Sequence, residues 1–112
     1  MKRGEIWTVS GRDYAGKPRP AVLLQDDRFG LTRSITLCPL TTNPADAGMF
    51  RLLVEPNREN GLRHASRLMV DKISTIPRAR VGQRVGRLSG DDMARVNRAV
   101  IVFLGLAGSY SQ

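Results

Sequence analysis

The stretch Gly16-Lys17-Pro18-Arg19-Pro20-Ala21-Val22-Leu23-Leu24-Gln25 holds an arginine between two prolines, at the start of an apolar run. Proline fixes its own φ and pushes the preceding residue toward an extended conformation. The run predicts a buried strand over residues 20–25, with the proline tolerated at its first position. We therefore expect Arg19 to be held on a stiff backbone, from which its planar guanidinium can donate paired hydrogen bonds to a phosphate.

The whole chain, residues 1–112, is predicted to form one small domain. It has a net charge of +8, and 15 of its 18 basic residues are arginines. This balance favours a nucleic acid, an anionic membrane surface or an acidic protein as partner.

Cys38 is the only cysteine, so no disulfide forms within the chain. The N-terminus lacks the apolar segment of a signal peptide, and the longest apolar run, 99–107, is too short to span a bilayer. We expect a soluble, cytoplasmic protein that does not enter membranes.

Short apolar or β-branched runs separated by Gly, Pro, Asn and Asp predict strands over most of the chain. The predicted strands cover residues 5–9, 20–25, 34–42, 49–55, 66–76 and 82–88. Strands of this length and spacing are typical of a small barrel or a compact curled sheet.

The end of the chain predicts a helix over residues 90–106. Ser89 and Asp92 have the spacing of a capping box, with aspartate in place of the usual Glu or Gln. Apolar residues then recur at helical spacing, at Met93, Val96, Val100, Phe103 and Leu104. The fold class expected from the sequence is mainly β with a C-terminal α-helix covering one end or face of the sheet.

Besides the opening stretch, four more short motifs lie along the chain. They are Arg3-Gly4-Glu5-Ile6-Trp7, Pro39-Leu40-Thr41-Thr42, the run 66–73 (Ser-Arg-Leu-Met-Val-Asp-Lys-Ile), and Arg87-Leu88-Ser89 before the helix. The five motifs occur in an order and spacing that resemble those of the MazF/PemK-type toxins, the ribonuclease components of bacterial toxin–antitoxin pairs. The resemblance covers nearly the whole chain.

The resemblance implies a small SH3-like β-barrel with a C-terminal helix, assembled as a homodimer. It implies sequence-specific cleavage of single-stranded RNA without a metal or a cofactor. Cleavage leaves 2′,3′-cyclic phosphate and 5′-hydroxyl ends and inhibits translation and growth. It also implies a cognate antitoxin whose acidic, disordered tail blocks the active site.

Such a reaction uses the neighbouring 2′-hydroxyl as nucleophile and needs charge stabilisation and proton transfer. Arg19 fits the stabilising donor because its guanidinium does not titrate near neutral pH. The resemblance implies that Thr41 donates a hydrogen bond to the scissile phosphate. A surface ion pair for Arg19, and a β-branched residue that simply fits a strand for Thr41, are the alternative interpretations.

Two aspartates complete the predicted catalytic set. Some relatives carry a glutamate, proposed as general base, in the loop where Asp13 lies when Ala15-Gly16 is aligned with their Ala/Gly pair. Asp71 matches an aspartate near the phosphate in relatives that carry an arginine two positions earlier, where this chain has Met69. Asp71 could instead orient Arg19 or stabilise the barrel, and Asp13 could be an ordinary loop residue.

The predicted RNA-binding residues are mostly basic or capable of stacking on a base. Phe29 lies in a turn, where it could stack on a base, while Arg78 and Arg80 could follow an RNA backbone or simply form a solvated face. The full set is Lys17, Thr42, Phe29, Arg78 and Arg80.

Two other classes of function stay open at this stage. One is a non-catalytic toxin similar to CcdB, which poisons DNA gyrase on a related barrel. The other is a plain basic barrel that binds nucleic acid without cutting it, with affinity that falls steeply with salt. The pair Arg19 and Thr41 favours the nuclease.

Overall fold

Seven strands and one helix make up the described part of the chain in the computed structural model, which covers residues 1–11, 17–45, 48–106 and 108. The mainly β fold with a C-terminal helix is therefore confirmed. The elements are β1 (Glu5–Val9), β2 (Arg19–Leu23), β3 (Ser34–Thr41), β4 (Arg51–Val54), β5 (Ser66–Met69), β6 (Ser74–Pro77), β7 (Val81–Arg87) and α1 (Gly90–Phe103).

The strands pair in the order β4-β5-β3-β2-β1-β7, and β6 pairs separately with β3. All of these pairings are antiparallel. Among the described residues the path of paired strands stays open between β4 and β7. Besides β2, β3 has two more partners: its first half pairs with β6, and its C-terminal end pairs with β5.

The prediction of one strand over residues 66–76 is wrong, because β3 divides it into β5 and β6. The C-terminal end of β3 pairs with β5, with Thr41 opposite Arg67, whereas its first half pairs with β6, with Ser34 opposite Pro77. A 3-10 turn, Val70–Lys72, separates the two strands and shifts the register by three residues. Val70 is fully buried at this corner, and its N–H donates to the Phe50 carbonyl at 3.0 Å.

Both faces of the central strands are buried, which explains why β2 and β3 read as continuous apolar runs. One face belongs to a cluster that α1 covers through Val96, and it includes Ile6, Val22 and Cys38. The other face belongs to a second cluster in which β1, β2 and β3 meet side chains of β6 and β7. That cluster contains Val9, Ala21, Leu23, Ile35 and Leu37, with Trp7, Ile76 and Val81 packed against it.

Helix α1 begins as predicted and ends three residues early. The Ser89 hydroxyl accepts the Asp92 N–H at 3.1 Å, which caps the first turn. At the other end Gly105 has a φ of 74°, and the Leu106 N–H reaches back to the Ile101 carbonyl at 2.8 Å. This pattern is a Schellman motif, which stops the helix at Phe103.

Side chains from distant parts of the chain fix α1 on the sheet. The Arg3 guanidinium donates to the Leu24 carbonyl and to the Asn97 amide oxygen, both at 2.7 Å. The Arg95 guanidinium donates to the Leu53 carbonyl at 2.8 Å, so the helix is tied to β4 as well. In the part of the chain that the structure describes, no helix has the length and apolar character needed to cross a bilayer.

Candidate functional site

Arg19 and Thr41 lie at the same end of two neighbouring strands. Arg19 opens β2, and Thr41 closes β3, which runs antiparallel to it. Ala21 pairs with Pro39, and the same register continued by two residues sets Arg19 opposite Thr41. Residues opposed on antiparallel strands project to the same face of the sheet. The topology therefore brings Arg19 and Thr41, the two strongest candidates from the sequence, close together at one end of the central strands.

Arg19 is exposed and has a rigid main chain. Its backbone belongs to the β1–β2 ladder, opposite Val9, so β2 begins one residue earlier than predicted. Pro18 and Pro20 restrict the chain on either side. Its guanidinium makes no hydrogen bond or ion pair with any residue that the structure describes. The charge of Arg19 is therefore accessible to an anionic ligand.

Thr41 is half-buried, and its hydroxyl has a defined acceptor role. The Thr41 Oγ1 accepts the Asn43 N–H at 3.1 Å. Asn43 in turn accepts the Ala45 N–H on its side-chain oxygen at 3.0 Å, which orders the chain after β3. A hydroxyl has one hydrogen to donate besides its acceptor lone pairs. The hydrogen of Thr41 therefore remains available to a ligand.

A cavity of about 200 Å³ opens beside Thr41. Arg67 lies directly opposite Thr41 on β5, and Leu53 lies opposite Arg67 on β4. The cavity is lined by Thr41, Thr42, Asn43, Pro44, Leu53, Ala65 and Arg67. We call it the Thr41 groove.

The sequence predicts Thr41 and Thr42 as site residues, but not Asn43 and Arg67, which also line the Thr41 groove. No local signal marks Arg67, because its position depends on the pairing of β3 with β5, which are far apart in the chain. Ser66 and Leu68 are buried and Arg67 between them is half-buried. This alternation indicates that the Arg67 side chain points away from the core, but not which residues it faces.

Asp71 forms an ion pair with Arg51, with Arg51 Nη2 and Asp71 Oδ2 3.1 Å apart. Arg51 lies on β4 directly opposite Met69, so an arginine from the neighbouring strand reaches the aspartate. Burial, followed by the nearby charge of Asp71, raises the pKa of the Cys38 thiol to about 12. Cys38 is fully buried in the core, as the sequence indicated.

Lys17 and Arg80 lie at the same end of the sheet as Arg19. Lys17 is exposed just before β2. The Arg80 carbonyl accepts the N–H of Ser10, the residue after β1, at 3.0 Å, so Arg80 lies on the far side of β1 from Arg19. Its side chain is exposed. Asp13 lies outside the residues that the structure describes.

Phe29 and Arg78 lie near the opposite end of β3. Phe29 is 55% exposed in a 3-10 turn after β2, and the Arg28 guanidinium lies 5.4 Å from its ring centroid. The Arg78 guanidinium donates to the Thr32 carbonyl at 2.9 Å and also to the Gly30 carbonyl. An eight-residue strand separates this end from Thr41, about 23 Å at the usual rise. These contacts give Arg78 a structural role in anchoring the turn.

Within residues 1–11, 17–45, 48–106 and 108, no three His, Cys, Asp or Glu side chains are grouped closely enough to hold a metal ion.

Comparison with known proteins covers almost the entire chain. Residues 2–104 match the family of PemK-like, MazF-like toxins of type II toxin–antitoxin systems. The "Probable endoribonuclease MazF" of Mycolicibacterium smegmatis is 50% identical over 109 residues, which cover 96% of this chain and 100% of the relative. "Endoribonuclease MazF9" of Mycobacterium tuberculosis is 30% identical over 116 residues, covering 95% and 98%.

The fold is also similar to solved structures. A mycobacterial endoribonuclease, solved in complex with its cognate antitoxin, superposes with a TM-score of 0.78 at 19% identity, covering 97% of this chain and 99% of that one. At this identity the likeness concerns the fold, and it agrees with the antiparallel sheet and C-terminal helix described above.

Proposed function

The chain belongs to the family of PemK-like, MazF-like toxins of type II toxin–antitoxin systems, and from that premise we propose that it is an endoribonuclease toxin acting on single-stranded RNA. The observation that carries the proposal is the position of Arg19 and Thr41 at the same end of two neighbouring strands, beside the Thr41 groove. Arg19 is flanked by prolines and has no partner among the described residues. The name of the relative at 50% identity supports the same activity.

The proposed reaction is an attack of the RNA 2′-hydroxyl on the adjacent phosphorus. The new P–O2′ bond forms as the P–O5′ bond breaks, giving a 2′,3′-cyclic phosphate and a 5′-hydroxyl. One proton leaves the 2′-oxygen for a base, and one proton reaches the departing 5′-oxygen. Negative charge builds on the non-bridging phosphoryl oxygens in between, so fixed donors aimed at those oxygens accelerate the step.

Arg19 and Thr41 are the proposed donors to those oxygens. A guanidinium stays protonated at neutral pH, so Arg19 acts as a charge stabiliser and not as an acid. The Thr41 hydroxyl adds a neutral hydrogen bond, oriented by the Asn43 N–H. These groups supply the stabilisation without a metal ion. Asp13 and Asp71 are the candidate proton acceptors, and Asp71 is held by Arg51.

RNA binding at this end of the strands is proposed to involve Lys17, Thr42 and Arg80 as well. Lys17 and Arg80 lie at the same end as Arg19, and Thr42 lines the Thr41 groove. Phe29 is exposed at the other end of β3 and is available only to nucleotides far from the scissile phosphate. With a net charge of +8 the protein attracts a polyanion from a distance.

A homodimer is proposed because α1 ends in an exposed apolar surface. Leu106 is 71% exposed and Leu104 57%, beside the half-exposed Val102 and Phe103. Met49, which is 78% exposed, extends the apolar surface from the loop before β4, where Phe50 packs edge-on against Phe103 at 5.0 Å. Apolar patches of this kind are typical of protein–protein contacts, and a second copy of the chain is the occupant that the family suggests.

The second proposed partner is an acidic antitoxin. The mycobacterial structural neighbour was solved with its cognate antitoxin, and the excess of positive charge here would speed encounter with an acidic segment. We propose that toxin and antitoxin meet in the cytoplasm, where the RNA substrate is found.

The test is incubation of the purified chain with single-stranded RNA in EDTA, followed by mapping of the new ends. We expect fragments with 5′-hydroxyl and 2′,3′-cyclic phosphate ends at short recurring sequences. RNA binding without scission would favour the plain basic barrel, and DNA breakage in the presence of gyrase without RNA cleavage would favour a gyrase poison. Either result would overturn the nuclease.

A further inference from the structure

Arg67 is the one half-buried arginine without a visible partner in the described part of the chain. Four arginines there are half-buried: Arg51, Arg67, Arg78 and Arg95. Arg51 pairs with Asp71, Arg78 donates to two main-chain carbonyls, and Arg95 donates to Asp92 and to the Leu53 carbonyl. The Arg67 guanidinium makes no hydrogen bond or ion pair with any described residue.

The Arg67 guanidinium nitrogens keep contact with solvent, so this unpaired charge is accessible to an anionic ligand. Among the described residues that line the Thr41 groove, Arg67 is the only charged one, so none of these neighbours compensates its charge. The other lining residues offer hydroxyl and amide groups, from Thr41, Thr42 and Asn43, and apolar surface, from Leu53 and Pro44. This combination suits a nucleotide, with an anionic phosphate for the cation and a base for the apolar wall.

We propose that Arg67 binds a second RNA phosphate, next to the one held by Arg19 and Thr41. The inference rests on the proposed ribonuclease function. Thr41 lies opposite Arg67 on one side, and the β2–β3 register sets Arg19 on its other side. Two strand spacings, about 10 Å, separate Arg19 from Arg67. Because the two arginines lie on opposite sides of Thr41, each can contact a different phosphate of one RNA strand that crosses Thr41. Arg67 would then fix the register of the RNA over Thr41.

The test is the salt dependence of RNA binding. The probe is a fluorescent oligonucleotide containing a mapped cleavage site, with deoxyribose at the nucleotide that supplies the 2′-hydroxyl, so that it binds without being cut. Affinity is measured for wild type, Arg67→Gln, Arg67→Lys and Arg98→Gln between low and moderate NaCl. Arg98 is an exposed residue of α1 that makes no contact with the Thr41 groove.

Loss of one phosphate contact to a single strand should make the plot of log K against log[NaCl] less steep by about 0.7. We expect this change for Arg67→Gln, and a wild-type slope for Arg67→Lys and Arg98→Gln. Thermal unfolding checks that each variant is folded, and Arg67→Met, which keeps the apolar stem, replaces Arg67→Gln if the latter does not fold.

An unchanged slope in folded Arg67→Gln, with wild type still binding and cutting RNA, would overturn the role of Arg67 alone. A loss of affinity confined to oligonucleotides with one particular base, at constant slope, would also overturn it, since that result indicates contact with a base edge. If wild type neither binds nor cuts RNA, the proposed ribonuclease function itself fails.

Discussion

Replacing Thr41 by valine keeps the β-branched shape at the end of β3 and removes one hydroxyl. In the structure that oxygen accepts the Asn43 N–H at 3.1 Å, which leaves its own hydrogen for the scissile phosphate. Loss of one preorganised donor to a developing charge costs about 10²–10³ in rate, or about 2.7–4 kcal/mol. We expect kcat of Thr41→Val to fall by that factor, whereas Thr41→Ser, which keeps the hydroxyl, should retain most of the activity.

The same substitution should change stability little. Asn43 is exposed, so water can replace Thr41 Oγ1 as the acceptor of its N–H, at a cost of about 1 kcal/mol or less. A large drop in activity with a small drop in stability would separate a chemical role from a structural one.

The assay is single-turnover cleavage of an RNA with a mapped site, with enzyme in excess, alongside urea unfolding. Thr36→Val is the matched control, because Thr36 also lies on β3 and its hydroxyl is 2.7 Å from that of Thr75, outside the Thr41 groove. It should lose about 1 kcal/mol of stability and no activity. Wild-type cleavage by Thr41→Val, or an equal loss in Thr36→Val, would refute the phosphate contact.

Three further predictions concern the scaffold. Because burial raises the pKa of the Cys38 thiol to about 12, iodoacetamide at pH 8 should leave the folded protein unlabelled in mass spectrometry and label it only after unfolding; labelling of the folded protein would contradict this. Asn60 is fully buried, accepts two backbone N–H groups and donates to the Glu55 carbonyl, so Asn60→Ala should cost about 3 kcal/mol in urea unfolding, and a loss below about 1 kcal/mol would refute its role. Burial alone would raise the pKa of Glu5, but hydrogen bonds from the Lys2 N–H, Trp7 and Arg84 outweigh it and lower that pKa. Stability from Glu5 is therefore present above the ordinary glutamate pKa of about 4.3 and lost as pH falls through the lower folded value; Glu5→Gln should lack this part of the acid dependence, and identical pH profiles would contradict the shift.

Local patterns were enough to predict the strands around Trp7 and Arg19 and the start of α1. Each of these features depends on residues that are close in sequence. The strands are apolar runs with turn residues beside them, and the helix starts at the Ser89 cap with aspartates in its first turn. The end of α1 was predicted too late, because apolar residues continue past Phe103, while the helix stops where Gly105 adopts a left-handed conformation.

Features that depend on pairing between distant strands were missed. Residues 66–76 alternate like one strand, and only the double pairing of β3 forces the corner at Val70. The same pairing puts Arg67 opposite Thr41, which no spacing within residues 66–73 encodes. Likewise, no local pattern encodes the contact of the Arg78 guanidinium with the carbonyls of Thr32 and Gly30, which lie far away in sequence.

The most direct measurement is the single-turnover cleavage rate of Arg19→Ala in EDTA, compared with wild type and with Arg98→Ala on the same RNA. A stabilising guanidinium at the scissile phosphate predicts a fall of about 10²–10³ for Arg19→Ala, with unchanged thermal unfolding and no change for Arg98→Ala. Cleavage by folded Arg19→Ala at the wild-type rate would contradict the central role of Arg19.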